Sequence, residues 1–255
     1  MTIIAVFNQK GGVGKTTTAL NLAAALARRE RAPLAIDLDP QAQFSAVTGA
    51  RADSGDDTVL SLFQRNRPLH ELIRQSEGGI GVIPSHMELS KVDSLYGKGF
   101  NIVNRLNASL QAEKLPHNGQ AVLIDCSPLV SVLSLNAIFA SSAIIVPISA
   151  DYLSLEGAAR IAKTLNALEP VLKRRVARRY LLTRFDSRRR MAWDVLRSAE
   201  QQFGGEVCHT RIAENVSLAE SPAFGKNVFE HAPNSRGAQE YLELLEELLA
   251  EGFIE

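Results

Sequence analysis

The chain is poor in several things that would fix its class at once. Two cysteines among 255 residues, Cys126 and Cys208, are too few for a disulfide scaffold and lack the CxxC spacing of a metal pair, so both are expected in the core. An iron–sulphur protein would need paired cluster cysteines. The five histidines, His70, His86, His117, His209 and His231, follow no ligand spacing and are assigned no chemistry. No apolar run approaches the roughly 18 residues needed to cross a bilayer. Apolar stretches such as residues 121–124 and 143–148 are strand-sized. The first residues lead straight into a strand and a glycine-rich loop, which is not the pattern of a signal peptide. Net charge is zero, 28 Lys and Arg against 28 Asp and Glu, so any electrostatic partner must be read from the distribution of charge. No linker, repeat or low-complexity tract divides the chain. These features predict one domain over residues 1–255 in a cytoplasmic enzyme or switch.

Short apolar runs alternate with helical segments along most of the chain. That alternation predicts an α/β fold: a doubly wound, mostly parallel sheet flanked by helices. Strands are expected at residues 2–7, 33–37, 80–83, 120–125, 143–148 and 179–183. Helices are expected at 15–29, 58–64, 68–75, 99–113, 131–139, 154–171, 189–203 and 235–251. In the first helix Ala19, Leu22, Ala23 and Leu26 recur at spacings of three and four, which gives it one face for the sheet. Residues 49–57, polar and rich in small side chains, are expected to be the most mobile loop.

Three elements carry chemistry. The first is Lys10-Gly11-Gly12-Val13-Gly14-Lys15-Thr16-Thr17, directly after the apolar stretch Ile3-Ile4-Ala5-Val6-Phe7. Glycines let such a loop turn its N–H groups inward onto phosphates. Lys15 reaches the β- and γ-phosphates, and the Thr16 hydroxyl ligates Mg²⁺. The strict G-x4-GK[ST] spacing is not met, because Gln9 stands where the first glycine belongs. The second element is Asp37-Leu38-Asp39-Pro40-Gln41, a strand end with two carboxylates two residues apart, which places both on one side. At the carboxyl end of a strand in an open sheet they would face the ligand. The third is Ala121-Val122-Leu123-Ile124-Asp125, four apolar residues ending in an acid, where Asp125 would hold Mg²⁺ through its water shell.

The KGGVGKTT string resembles the deviant Walker A loop of the ParA/MinD family of ATPases, and the resemblance extends over nearly the whole chain. DLDPQ occurs where that family has it. Where relatives usually read DCPP this chain reads Asp125-Cys126-Ser127-Pro128, then Leu129, a small departure that leaves Asp125 in register. Asp151-Tyr152-Leu153-Ser154-Leu155-Glu156-Gly157 is similar to the family's segment after the fifth strand, and Leu182-Thr183-Arg184-Phe185-Asp186 resembles its base-pocket turn. Residues 215–222, Gly225-Lys226 and 235–238 match its C-terminal block. The resemblance implies a P-loop NTPase fold binding ATP and Mg²⁺. Gly11, Gly12, Val13, Gly14, Lys15, Thr16, Thr17, Thr183 and Arg184 would contact the nucleotide. Thr16, Asp39 and Asp125 would serve the metal, with Asp37 supporting its shell. Lys10 would reach across a homodimer to the partner's phosphates, and Asp39 would position the attacking water. Lys10, Lys15 and Asp39 form the implied catalytic set.

The same resemblance favours the ParA branch, whose short members segregate chromosomes and plasmids or position protein assemblies, with a ParB-like or cargo-linked adaptor stimulating hydrolysis. No DNA-binding extension precedes the first strand, so an operator-binding role is not expected. Twelve Lys and Arg face four Asp and Glu within residues 160–200, whereas residues 238–255 hold six Glu and no base. One basic face and one acidic end are therefore expected. In the family the ATP-bound dimer holds nucleoid DNA nonspecifically through basic residues of this region, here Lys173, Arg174, Arg175, Arg178, Arg179, Arg184 and Arg188 to Arg190. Relatives often read IPRNVR where this chain has Ile212-Ala213-Glu214-Asn215-Val216-Ser217. Two basic positions are thus missing, and DNA contact either relies more on residues 173–190 or is weak. The alternative, a MinD-like membrane-associated cell-division ATPase, needs a cationic amphipathic tail. The polar face of Tyr241-Leu242-Glu243-Leu244-Leu245-Glu246-Glu247-Leu248-Leu249-Ala250-Glu251 is acidic, so no membrane partner is expected and its leucines should pack on the domain.

Overall fold

The computed structural model describes residues 2–97, 99–115 and 120–255; His117 lies outside the described residues. Seven strands form one sheet: β1 (Ile3–Val6), β2 (Leu34–Asp37), β3 (Arg74–Gln75), β4 (Gly81–Ile83), β5 (Val122–Asp125), β6 (Ala143–Ser149) and β7 (Ala177–Thr183). Their order is β3-β4-β2-β5-β1-β6-β7, parallel throughout except for the antiparallel edge strand β3. The helices are α1 (Lys15–Arg28), α2 (Gln43–Val47), α3 (Leu60–Arg65), α4 (Val92–Tyr96), α5 (Phe100–Val103), α6 (Arg105–Ala112), α7 (Val132–Ala140), α8 (Tyr152–Leu172), α9 (Arg190–Phe203), α10 (Val216–Glu220), α11 (Val228–His231) and α12 (Arg236–Ala250).

Strand pleating divides the core into two. Ile3, Ala5 and Phe7 of the first strand region point into one hydrophobic cluster, shared with α3, α7, α8 and α9. Ile4 and Val6 point into the other, shared with α1, α11 and α12. The predicted face of α1 is there: Ala19, Leu22, Ala23 and Leu26 are fully buried. Each such leucine contributes about 2 kcal/mol through its removal from water. Both cysteines are buried and free.

Expectation and structure part where one residue redirects the backbone. The helix expected at residues 68–75 is a single 3₁₀ turn, Leu69–Leu72, followed by β3. Gly79, at φ +76°, lets the chain fold back so that Ser76 N–H donates to Ile80 O, and a hairpin replaces the helix. The helix expected at 99–113 is split into α5 and α6 because Asn136 enters its ladder. The Asn136 carbonyl accepts from Leu106 N–H and its amide donates to Ile102 O, both at 2.9 Å. Within the loop expected to be mobile, 49–57, Ala50, Ala52 and Gly55 are buried and Gly55–Asp57 is wound into a 3₁₀ turn, while Gly49, Arg51, Asp53, Ser54 and Asp57 are exposed. The short helices α2, α4, α10 and α11 span four or five residues each, too few for a periodic signal.

The order β2-β5-β1 is what builds the site. Asp125 at the end of β5 is in register with Asp37 of β2 on one side and with Val6 of β1 on the other, immediately before the glycine loop. Three sequence-distant motifs thereby meet at the carboxyl edge of the sheet, where β1 lies between β5 and β6 and the connections diverge.

Candidate nucleotide and magnesium site

The loop after β1 is held from beneath. Asn8 is buried, donates through its side-chain amide to Pro147 O of β6 (2.6 Å) and accepts from Lys10 N–H (3.0 Å). Gly12 and Gly14 take φ +74° and +85°, a left-handed backbone that costs other residues strain. Gly14 is the N-cap of α1 and offers no side-chain oxygen to the helix's first amides. With no acidic residue in that turn, those amides and the helix dipole suit a phosphate.

The two lysines have different settings. Lys15 is 7% exposed and its ammonium donates back to Lys10 O at 2.9 Å. Burial lowers its pKa from the ordinary lysine value, while the charges of Asp125, Cys126 and Asp39 work in the opposite direction. Lys10 sits at the outer edge of the loop, its side chain 34% exposed, and its ammonium is gripped by Asp151 (2.6 Å) and Ser154 Oγ (2.9 Å). Burial favours the neutral Asp151 acid, yet hydrogen bonds from Lys10, Ser149 and Ser154 hold its pKa down at about 2.

Asp37 and Asp125, side by side in the sheet, are used differently. Both oxygens of Asp37 are occupied. One accepts from Asp39 N–H (3.0 Å), the other from Ser45 N–H (2.9 Å) and Ser45 Oγ–H (2.6 Å), which shapes the loop that carries Asp39. Burial pushes Asp37 up to about 6, partly offset by those hydrogen bonds. Asp125 is 1% exposed, and neither of its oxygens has a hydrogen-bond partner among the described residues. Burial and then the Asp37 carboxylate push its pKa well up, while the nearby Thr16 hydroxyl and Lys15 favour the charged form. A buried carboxylate left this way is costly unless a cation or its waters reach it. Asp125 with the Thr16 hydroxyl therefore fits Mg²⁺, which takes few direct protein ligands and keeps several waters. Among the described residues no cluster of three His, Cys, Asp or Glu forms a metal cage of another kind.

Asp39 is half-buried on the cleft wall, its Oδ1 accepting from Gln41 N–H at 2.9 Å. The cleft measures about 790 Å³ and runs from the glycine loop to a second wall of Thr183, Arg184, Ile212, Ala213, Glu214 and Asn215. Thr183 is buried and donates through Oγ1 to Val13 O (2.8 Å), which ties β7 to the phosphate loop. Arg184, at φ +51°, turns its side chain onto Glu214 (2.8 Å). Tyr241 of α12 also lines the cleft, its hydroxyl 3.2 Å from Thr18 Oγ1. All the expected nucleotide and metal residues thus gather at this edge. Asn8, Ser45 and Tyr241 carried no motif signal that could have announced their part.

The expected basic face is largely neutralised from within. Arg178 is buried and bound to Asn166 and Glu169, Arg179 to Glu251, and Arg175 to Glu206; Arg174 donates to the carbonyls of Phe139 and Ser141. Arg188 and Arg189 share the single carboxylate of Asp186, and Arg190 and Arg197 share Asp194, which leaves a positive excess at the start of α9. The tail behaves as expected: Leu244, Leu245 and Leu248 are buried against α1 and its neighbours. No helix of the described residues is long and apolar enough to cross a membrane.

Residues 1–177 match a family model described as an AAA domain. The chain is 39% identical over 248 residues to the chromosome-partitioning ATPase Soj of Thermus thermophilus, covering 97% of this chain and 95% of the relative. It is 35% identical over 252 residues to the chromosome partitioning protein ParA of Myxococcus xanthus, covering 97% and 87%. The chain belongs to the ParA/Soj family. Its backbone also superposes with a TM-score of 0.84 on cobyrinic acid a,c-diamide synthase of Mycobacterium smegmatis with bound ATP analog and magnesium, at 26% identity over 99% of this chain and 96% of that one.

Proposed function

We propose that this chain is a ParA-type ATPase that positions or segregates a cargo by switching between an ATP-bound dimer on DNA and a free form. It hydrolyses ATP with Mg²⁺ as cofactor. Thr16 and Asp125 would hold the metal, which supplies charge neutralisation at the phosphates. Lys15 and the loop amides hold the β- and γ-phosphates, and Thr183 and Arg184 border the base. Asp39 orients a water whose oxygen bonds to the γ-phosphorus as the bond to ADP breaks, giving ADP and phosphate. Positioning and charge supply the acceleration.

The observation that carries the dimer reading is the contrast between the two lysines of one loop. Lys15 is turned into its own site, while Lys10 stands at the rim with its charge held, among the described residues, by Asp151 and the Ser154 hydroxyl. Release of that grip frees Lys10 for the phosphates held by a partner subunit. The DNA surface of the dimer is centred on Arg188, Arg189 and Arg190, where positive charge remains in excess. Its contacts would be to phosphates and salt-sensitive. An adaptor carried by the cargo, ParB-like in the chromosomal case, stimulates hydrolysis and returns the protein to the free form, so the ATPase is weak until stimulated and works on the nucleoid in the cytoplasm. The partitioning names of the relatives support this reading. A MinD-like lipid attachment is disfavoured because the leucines of α12 are spent in the core.

Sedimentation velocity without nucleotide, with ADP and with ATP tests the reading. The expected result is a dimer with ATP alone and a monomer in every state for Lys10→Ala. A wild-type protein that stays monomeric while hydrolysing ATP at a rate proportional to its concentration would overturn it.

A further inference from the structure

We propose that Glu240 of α12 is a positioning residue for the wall of the cleft opposite the phosphate loop, and so for affinity toward the nucleoside part of the nucleotide. The inference rests on the nucleotide reading above. The wall is the segment 208–215, which lies beside β7 without being a full strand of the sheet. β7 takes only some of its amides: Cys208 N–H donates to Tyr180 O and Ile212 N–H to Leu182 O. Three further amides of the segment, those of His209, Thr210 and Ala213, are taken by carboxylates of the C-terminal helix. Glu247 accepts from His209 N–H (2.6 Å) and Thr210 N–H (2.8 Å), and Glu240 accepts from Ala213 N–H (2.7 Å).

Glu240 and Glu247 are two helical turns apart and so share a face of α12. Glu240 is only 5% exposed, and its second oxygen accepts from Arg236 Nε at 2.7 Å, which aims the carboxylate at Ala213. The same helix presses on the cleft in two further places. A Cβ on Gly237 would come within 2.7 Å of Leu218 Cγ, and Leu218 lines the cleft. Tyr241, the neighbour of Glu240, lines it as well and reaches Thr18 of α1. Ala213 N–H has an acceptor only while Glu240 is in place, and the next residue, Glu214, holds Arg184 over the cleft mouth. Ile212, Leu218 and Tyr241 give this end the apolar surface that suits a planar base, whereas the glycine-loop end suits phosphate. Loss of the Glu240 acceptor leaves a buried amide unsatisfied and lets the wall shift. Glu240 and Glu247 of the acidic tail are therefore clamps on one wall of the nucleotide cleft.

The test compares a ligand that spans the cleft with one that fills only the phosphate end. Affinities for ATP, ADP and inorganic tripolyphosphate, each with Mg²⁺, are measured by calorimetry for the full chain, Glu240→Leu and Glu240→Gln. Glu240→Leu is expected to weaken ATP and ADP about tenfold and leave tripolyphosphate within about twofold; Glu240→Gln, whose amide oxygen still accepts from Ala213 N–H, recovers most of the loss. If Glu240→Leu does not fold, Arg236→Met carries the same contrast at about threefold, because it removes only the group that aims Glu240. Unchanged ATP affinity in a folded variant, or equal losses for ATP and tripolyphosphate, would overturn the role of Glu240. A wild-type protein that binds neither ATP nor ADP would overturn the nucleotide reading instead.

Discussion

The phosphate loop and the basic stretch of residues 173–190 both carry closely spaced cations in the sequence, yet folding treats them differently. In the loop, contiguous residues become a contiguous device, because glycine dihedrals and a helix start are local properties and Lys15 cannot land elsewhere. In the basic stretch, strand β7 sends alternate residues to opposite faces, and partners far along the chain take up the cations: Glu206, Glu251 and, from within α8, Glu169. Local motifs survive folding as written, whereas charge density is redistributed by it.

That contrast can be broken from either side. Lys15→Ala should lower ATP turnover about 1,000-fold while the protein stays folded, since it removes the charge preorganised for the phosphates; steady-state phosphate release reads it. Lys10→Ala should lower turnover about 100-fold with ATP binding retained, because its proposed action is in trans and only in the assembled dimer. Arg178→Met should destabilise the fold by about 2 kcal/mol, discounted for the partial solvation of Glu169, with no change in DNA affinity beyond that of unfolding; denaturant titration and filter binding separate the two.

Asp37 gives a pH test. Its folded pKa of about 6 lies above the ordinary 3.8, so the folded protein holds a proton that the unfolded chain releases. Its contribution to stability is full below pH 3.8 and lost as pH rises to about 6. Thermal melts of the nucleotide-free protein against Asp37→Asn should differ in slope across that window only. The smallest effect is at the surface. Arg188→Ala should leave the melting temperature unchanged, since the 88% exposed side chain is replaced at Asp186 by Arg189, and lower the salt slope of DNA binding by about 1.

How far the sequence could be read follows the same division. The strand pattern, the α1 face and the motifs at Lys10 to Thr17, Asp39 and Asp125 were legible because each rests on a short local period or spacing. The hairpin at β3, the split between α5 and α6 and the clamps from α12 were not. Each depends on one side chain or one glycine acting over a distance: Asn136 across thirty residues, Gly79 at an edge, Glu240 across twenty-seven. Asp37 illustrates both cases. Its position at the strand end was legible, and its commitment to Ser45 instead of to an open coordination position was not.

The most direct test is binding of a labelled nonspecific DNA duplex to the pure protein without nucleotide, with ADP, with ATP and with a slowly hydrolysed ATP analogue, at low and moderate salt. The proposed switch requires binding with ATP and its analogue only, weakening as salt rises. Binding that is equal in all four states, or absent from all four, would contradict it.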